Sequence, residues 1–118
     1  MPKKSTTSNP FVGQWNIVSM TVWEDDFFNE ERQAFIEFDN KGRGEFHFGY
    51  VHGFMICSPT TRDSKPAVEW TWEGNDELEE VHGRGWAILK GSELQGMIFL
   101  HQEESGFVAK KSKRTTKR

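Results

Sequence analysis

The sequence predicts an all-β fold, a single antiparallel meander barrel of about seven or eight strands. Three observations predict it. Apolar and polar residues alternate with a period of two in several segments, glycine-containing turns separate these segments, and 118 residues suffice for one small domain. A sheet of this many strands must protect its edges, and closure into a barrel removes them completely.

The first half of the chain predicts a long strand followed by a hairpin. The apolar-rich run 12–23 predicts the first strand. Residues 34–38 and 45–48 each alternate apolar with polar side chains, and the turn-forming residues between them predict a hairpin. We expect residues 51–57 to continue the second strand of this hairpin after a bend or bulge at Gly49.

The second half predicts further strands at similarly short spacing. Segment 67–74 alternates large apolar with polar residues, so its apolar side chains share one face. Residues 86–90 and 94–101 flank a turn that contains Gly91 and predict a second hairpin. Residues 107–110 predict a short closing strand.

The rest of the chain predicts little regular structure. The connections 25–33 and 76–81 have room for helices of about two turns at most. Residues 1–9 and 111–118 are polar and charged, without large apolar side chains, and we expect both to be disordered arms. The folded domain is therefore expected to span residues 10–110.

Composition excludes several classes of protein. Aromatic residues make up 14% of the chain, a share that disordered proteins do not reach. No apolar run approaches the roughly 18 residues of a membrane span, and the N-terminus lacks the apolar stretch of a secretory signal. The single cysteine, Cys57, excludes an internal disulfide. We expect a cytoplasmic protein that does not associate with membranes.

Charge is distributed unevenly along the chain. Residues 10–109 contain seven basic and eighteen acidic side chains, a net charge of −11, whereas six basic residues lie in the last nine positions. The acidic body repels nucleic-acid phosphates. We therefore expect only the basic C-terminal tail to contact nucleic acid, and weakly.

The first strand carries Gly13-Gln14-Trp15, which resembles the Gly-x-Trp motif of the calycin barrels, the lipocalins, fatty-acid-binding proteins and their relatives. The resemblance implies that Trp15 lies at the bottom of the barrel beneath a basic side chain of the last strand, here Lys110. The carboxylate-binding Arg-x-Tyr of fatty-acid-binding proteins has no counterpart near this C-terminus, so the resemblance does not extend to a fatty-acid ligand. The segments 37–49, 72–77, 83–86 and 97–107 are also similar to a group of small bacterial proteins without an assigned activity, and this resemblance spans most of residues 11–109.

Two functions remain open. In the first, the barrel mouth binds a small apolar or aromatic ligand through inward aromatic rings and a few polar groups. The residues predicted to line this site are Trp15, Phe46, Phe48, Tyr50, Trp70, Trp72, Arg84 and Trp86. In the second, the chain is a non-catalytic protein-interaction or structural module whose rings fill the core. An eight-stranded barrel is just wide enough either to be filled by its own side chains or to hold one small ligand, so its size is compatible with both functions.

The histidines and Arg84 are predicted to have structural roles. The four histidines lack the spacing of metal ligands, and we expect His47 and His52, five positions apart, on opposite faces unless the strand bulges at Gly49. Arg84 lies between two glycines, and we expect it to form an ion pair with Glu73 or Asp76 rather than to bind an anion. No catalytic residue, metal ligand or cofactor motif is predicted.

Two further features of the sequence concern the first long connection and the single cysteine. Phe27 and Phe28 are adjacent in the first long connection, where they would form either a lid over the barrel or a homodimer contact. Cys57 has His52 as its one local candidate base, which disfavours a nucleophilic role.

The Gly-x-Trp motif predicts a buried Trp15. Replacing a large buried aromatic side chain by alanine typically costs about 3–5 kcal/mol, and we expect Trp15→Ala to lower the free energy of unfolding by that amount. Urea denaturation measures the change. A loss below about 1 kcal/mol would show that the match to the motif is accidental.

Overall fold

The predicted all-β meander barrel is confirmed. The structure, a computed structural model, describes residues 9–100 and 103–112, and within these ranges the chain forms eight antiparallel strands and one short helix. In chain order the elements are β1 (Gly13–Met20), α1 (Asp25–Phe28), β2 (Phe35–Phe38), β3 (Arg43–Phe48), β4 (Val51–Arg62), β5 (Lys65–Asp76), β6 (Glu79–Lys90), β7 (Glu93–Leu100) and β8 (Glu103–Lys111). Each strand pairs with the next and β8 pairs with β1, so the sheet closes on itself.

Tight turns between neighbouring strands differ in two places from the sequence prediction. The two expected hairpins, β2–β3 and β6–β7, are present. The prediction that residues 51–57 continue the preceding strand is wrong, because Gly49 and Tyr50 form a two-residue turn and β4 runs antiparallel to β3. Gly49 has a φ of 58°, a left-handed conformation that costs glycine little. A turn at Glu77, with a φ of 57°, occupies the segment 76–81, which has room for a short helix but forms none.

β4 contains a proline, Pro59, and still pairs with β5 along its length. The amide N–H of Cys57 donates to the carbonyl of Gly42 at 2.8 Å, on the side of β3. The backbone nitrogen of Pro59, two positions later, faces the same side but lies beyond Arg43, where β3 begins. The hairpin of β4 and β5 extends past β3 at this point. Among the described strands, none therefore lies where the N–H that proline lacks would donate.

Large rings on the inner face of one strand pack against glycines on the next. Trp70 and Trp72 project inward from β5, and each is 3% exposed. Gly85 and Gly83 lie opposite them on β6, and a Cβ atom there would come within 2.6 and 2.9 Å of the facing indoles. These glycines therefore provide the space that the two indoles fill. The other strands complete the core with Trp15, Ile17, Ile36, Phe38, Phe46, Phe48, Val51, Met55, Leu94, Ile98, Phe107 and Ala109.

α1 covers one end of the barrel, which we call the helix end. Phe28 is buried against the core, and the N–H of Gly49 donates to its carbonyl at 2.8 Å. The ring centroid of Trp23 lies 5.0 Å from that of Phe48 and 6.0 Å from that of Phe27. Phe27 and Phe28 thus pack over this end of the barrel, whereas a lid over a ligand cavity and a homodimer contact both stay predictions. Within the described residues no helix has the length and apolar character that a bilayer crossing requires.

The opposite end, the termini end, carries the first residues of β1 and the last residues of β8. Lys111 pairs with Trp15 across these strands, and its Nζ lies 4.5 Å from the centroid of the Trp15 ring. The expected contact of Lys110 with Trp15 is wrong because Lys110 pairs instead with Asn16. Lys111 thus belongs to the barrel and not to the predicted tail, of which residues 113–118 lie outside the described residues.

The two inward tryptophans of β5 differ in hydrogen bonding. The indole N–H of Trp72 donates to the carbonyl of Phe99 at 3.1 Å, whereas the buried indole N–H of Trp70 has no partner among the described residues. Replacement by phenylalanine removes similar ring volume at both sites, but it breaks a hydrogen bond only at Trp72. We expect Trp72→Phe to lower the free energy of unfolding by about 1 kcal/mol more than Trp70→Phe. Urea denaturation of both variants checks the order, and an equal or reversed order would contradict it.

Candidate functional site

Five of the predicted ligand residues lie inside the barrel and pack against one another or other core residues. Trp15, Phe46, Phe48, Trp70 and Trp72 are each at most 4% exposed. The ring centroid of Phe46 lies 4.9 Å from that of Trp72 and 5.8 Å from that of Phe48. These rings form the core of the domain and occupy the interior in which a ligand was expected.

Tyr50, a sixth predicted ligand residue, lies at the helix end. Its ring meets that of Phe27 edge-on at 6.2 Å. Desolvation, with a further contribution from the carboxylates of Glu30 and Glu77, raises the pKa of the Tyr50 phenol above its ordinary value. The phenol is therefore neutral at pH 7. Its contact with Phe27 makes the Tyr50 ring part of the cover that α1 forms at the helix end.

Arg84 and Trp86, the remaining two predicted ligand residues, do not line the interior of the barrel. β6 directs the backbone of Gly83 and Gly85 toward the indoles of the core, so the residues that alternate with them point outward. The guanidinium carbon of Arg84 lies 4.6 Å from the ring centroid of Phe99. Both predicted residues therefore lie on the outer wall of the barrel.

The ion pair expected for Arg84 is also absent. Among the described residues, neither Glu73 nor Asp76 places a carboxylate oxygen within 4.0 Å of the Arg84 guanidinium. The cross-strand neighbour of Arg84 on β5 is Thr71, and Glu73 lies opposite His82 instead. Strand register, which the sequence did not predict, separates these charges.

A half-open cavity of about 260 Å³ lies at the termini end, and we call it the end cavity. It is bounded by the segment 9–11, by the β2–β3 turn, and by the parts of β4 and β5 that extend past β3. Its lining residues are Asn9, Pro10, Phe11, Phe38, Asp39, Gly42, Arg43, Cys57, Ser58, Pro59, Thr60, Pro66, Ala67 and Val68. Most of the wall is apolar, and the charged groups Asp39 and Arg43 are exposed at its rim.

Trp15 holds one wall of the end cavity in place. Its indole N–H donates to the carbonyl of Phe11 at 3.0 Å, and Lys111 Nζ donates to the carbonyl of Val12 at 2.7 Å. The ring of Phe11 is buried and meets the ring of Phe38 edge-on at 6.2 Å. Trp15 therefore positions the cavity wall without lining the cavity itself.

Cys57 is a half-buried thiol in the wall of the end cavity. Burial, and to a smaller extent the Asp39 carboxylate, raises the pKa of this thiol to about 11. Backbone N–H groups of Lys41 and Arg43 donate to Asp39 and lower the pKa of that carboxyl. At neutral pH the cavity thus presents a protonated thiol beside an ionised carboxylate, which disfavours a nucleophilic role for Cys57.

The histidines of the first hairpin pair differ from their predicted arrangement. His47 and His52 are cross-strand neighbours on β3 and β4, so the prediction of opposite faces is wrong. The spacing of five places them opposite each other because the connecting turn has two residues. His47 Nε2 lies 3.2 Å from a Glu31 oxygen, and His52 Nε2 lies 3.3 Å from a Glu45 oxygen. Within the described residues no group of three or more His, Cys, Asp or Glu is arranged to hold a metal ion.

Comparison with known proteins gives no further guide to this site. No protein-family model, curated protein or solved structure matches the chain significantly.

Sequence reasoning missed most of the residues that line the end cavity. Phe38 and Val68 were assigned correctly to inward faces of strands, but they were not distinguished from the rest of the core. Their place at the cavity depends on the barrel end to which each strand end belongs. Pro59 carried a usable signal, since a proline within a strand marks a segment without a neighbour on one side.

The high pKa of Cys57 predicts slow alkylation of the folded protein. Because only the thiolate reacts, we expect iodoacetamide to modify Cys57 at pH 8 roughly 10 to 100 times more slowly than an unstructured peptide thiol. The rate should rise as the pH approaches 11. Mass spectrometry measures the rate at the single cysteine, and the protein unfolded in urea is the control. Equal rates for the folded and unfolded chain would contradict the assignment.

Proposed function

We propose that this chain is a binding protein that holds a small apolar or aromatic molecule in the end cavity. One observation carries the proposal: a mainly apolar cavity of about 260 Å³ opens at the termini end of a barrel whose interior is occupied by its own rings. An apolar cavity of about 150 Å³ accommodates benzene. The end cavity therefore suits a molecule of about two fused rings.

The chemistry of the lining favours a neutral ligand. The walls supply the rings of Phe11 and Phe38 and the aliphatic side chain of Val68. At the rim the ionised carboxylate of Asp39 and the guanidinium of Arg43 carry opposite charges, so the mouth of the cavity favours an ion of neither sign. The hydroxyl of Thr60 offers a neutral hydrogen-bonding partner for one polar atom of the ligand. This combination of apolar walls and a few polar groups is typical of small-molecule sites.

The resemblance to calycin barrels is compatible with this proposal, because it implies the same class of function, the binding of a small ligand. Calycin proteins bind small ligands, and the basic side chain over the tryptophan of the first strand has an equivalent in Lys111 over Trp15. Membership of that family remains part of the proposal.

A second candidate is a protein-interaction module with a filled core. The packed interior rings favour it, as do Phe54 and Ile56 on the outer face of β4, which are 53% and 62% exposed. Exposed apolar side chains on neighbouring outward positions are typical of contact surfaces. A second copy of the chain is one partner that such a surface would take.

Binding of a neutral two-ring probe tests the first candidate. We expect indole and 1-naphthol to raise the melting temperature in a concentration-dependent manner, because a ligand that binds only the folded state stabilises it. Val68→Phe fills the cavity from its wall and should abolish this rise. Val18→Phe is the matched control, since Val18 lies on the outer face of β1 and is 46% exposed.

Protection of Cys57 gives a second, local readout. A molecule in the end cavity covers the thiol, so the probes should slow its alkylation in the original protein and in Val18→Phe, but not in Val68→Phe. If neither probe shifts the melting temperature or protects Cys57, the cavity proposal is wrong and the interaction module takes its place.

A further inference from the structure

Two arginines on the outer wall of the barrel place their guanidinium groups over aromatic rings of other strands. The guanidinium carbon of Arg62 lies 3.8 Å from the ring centroid of Trp86, and that of Arg84 lies 4.6 Å from the ring centroid of Phe99. Both arginines are exposed to solvent. Cation–π contact therefore holds two guanidinium groups against the wall while their edges stay accessible.

Neither guanidinium has an acidic partner. In the part of the chain that the structure describes, no carboxylate oxygen lies within 4.0 Å of Arg62 or Arg84. This is unexpected in a body where eighteen acidic side chains face seven basic ones. Register explains it, because none of the cross-strand neighbours is acidic. Arg84 lies opposite Thr71 and Phe99, and Arg62 lies opposite Lys65.

The two arginines border one groove of about 570 Å³ on the outer wall of β4 to β7, which we call the outer groove. Ile56, Trp86 and Phe99 give it an apolar surface, and the hydroxyl of Thr71 lies between them. Glu69 is the single acidic residue among its lining residues, opposite Trp86 on the next strand. Two cations and one carboxylate leave the outer groove with a local positive charge inside an acidic molecule.

This arrangement matches an oxyanion that carries an apolar group. A guanidinium that stacks on a ring keeps its N–H donors in its own plane, where they form paired hydrogen bonds with a carboxylate or phosphate. Contact with the ring also fixes the side chain, so less rotamer freedom is lost when an anion binds. The apolar surface of Ile56 and the rings then contacts the rest of the ligand.

The geometry points to a second binding site: we propose that the outer groove binds a small molecule in which a carboxylate or phosphate group adjoins an apolar or aromatic group, with Arg62 and Arg84 as the anion-binding residues. The site shares only Ser58 with the lining of the end cavity and differs from that cavity in chemistry. Its ligand is an anion, whereas the end cavity favours a neutral molecule, so either site can fail its test without the other.

Titration with benzoate, phenyl phosphate and neutral benzyl alcohol tests the proposal. We expect the two anions to bind and benzyl alcohol not to bind, as measured by isothermal titration calorimetry and by the shift of the Trp86 indole ¹H–¹⁵N signal. Binding of benzoate and phenyl phosphate alike assigns a general oxyanion site. Binding of one alone assigns the carboxylate or the phosphate as the group recognised.

Variants of the lining residues sharpen the test. Arg84→Gln and Arg62→Gln should each weaken anion binding about tenfold or more, because charge-assisted hydrogen bonds are lost. Glu69→Gln should strengthen it, since the competing carboxylate is removed. Arg32→Gln is the matched control: Arg32 lies over the ring of Phe35, 5.6 Å from its centroid, and does not border the outer groove.

The melting temperature of each variant establishes that it is folded. These four side chains are exposed, so little loss of stability is expected from any of the substitutions. The proposal is overturned if the anions bind no more tightly than benzyl alcohol, or if Arg84→Gln and Arg62→Gln bind them as the Arg32→Gln control does.

Discussion

Closure of the barrel between its first and last strands is the constraint on which the rest of the structure depends. The pairing of β1 with β8 leaves no strand edge at the seam and places Trp15 opposite Lys111. Trp15 then has a cation over its ring and an indole N–H that donates to Phe11. Because Phe11 forms a wall of the end cavity, one pairing at the seam links the stability of the fold to the geometry of the candidate ligand site.

The narrow interior explains why the candidate sites lie at one end and on the outer wall. Three inward tryptophans and several phenylalanines need more space than a small barrel offers if every facing residue carries a side chain. Glycines at 83 and 85 supply that space on β6, and the alternation of the strand then directs Arg84 and Trp86 outward. The need for glycines on the inner face of β6 therefore also places a cation and an aromatic ring in the outer groove.

The end cavity and the outer groove differ in the physical basis of recognition. In the proposed end-cavity site, burial of apolar surface would supply the binding free energy, and the opposite charges of Asp39 and Arg43 at the rim favour an ion of neither sign. In the outer groove, Arg62 and Arg84 supply charge and hydrogen bonds at a solvent-exposed surface. Binding at the two sites would therefore respond differently to salt, which screens exposed charges and barely affects burial of apolar surface.

The sequence by itself determined the fold class and most of the inward residues, because period-two alternation records which side chains leave water. It determined that Trp70 and Trp72 face inward and that the turn at Gly91 joins a hairpin. Tertiary structure alone decided the strand register, and with it the contact of Lys111 in place of Lys110, the opposition of His47 and His52, and the absence of an ion pair at Arg84. In the motif 83–86 the alternation runs between glycines and large residues, so the larger side chains looked like the inward ones. The structure shows that the glycines face the core, because the indoles of Trp70 and Trp72 on β5 fill the space in front of them. The space available on the inner face of β6 is thus determined by the side chains of the paired strand and not by the sequence of β6 itself.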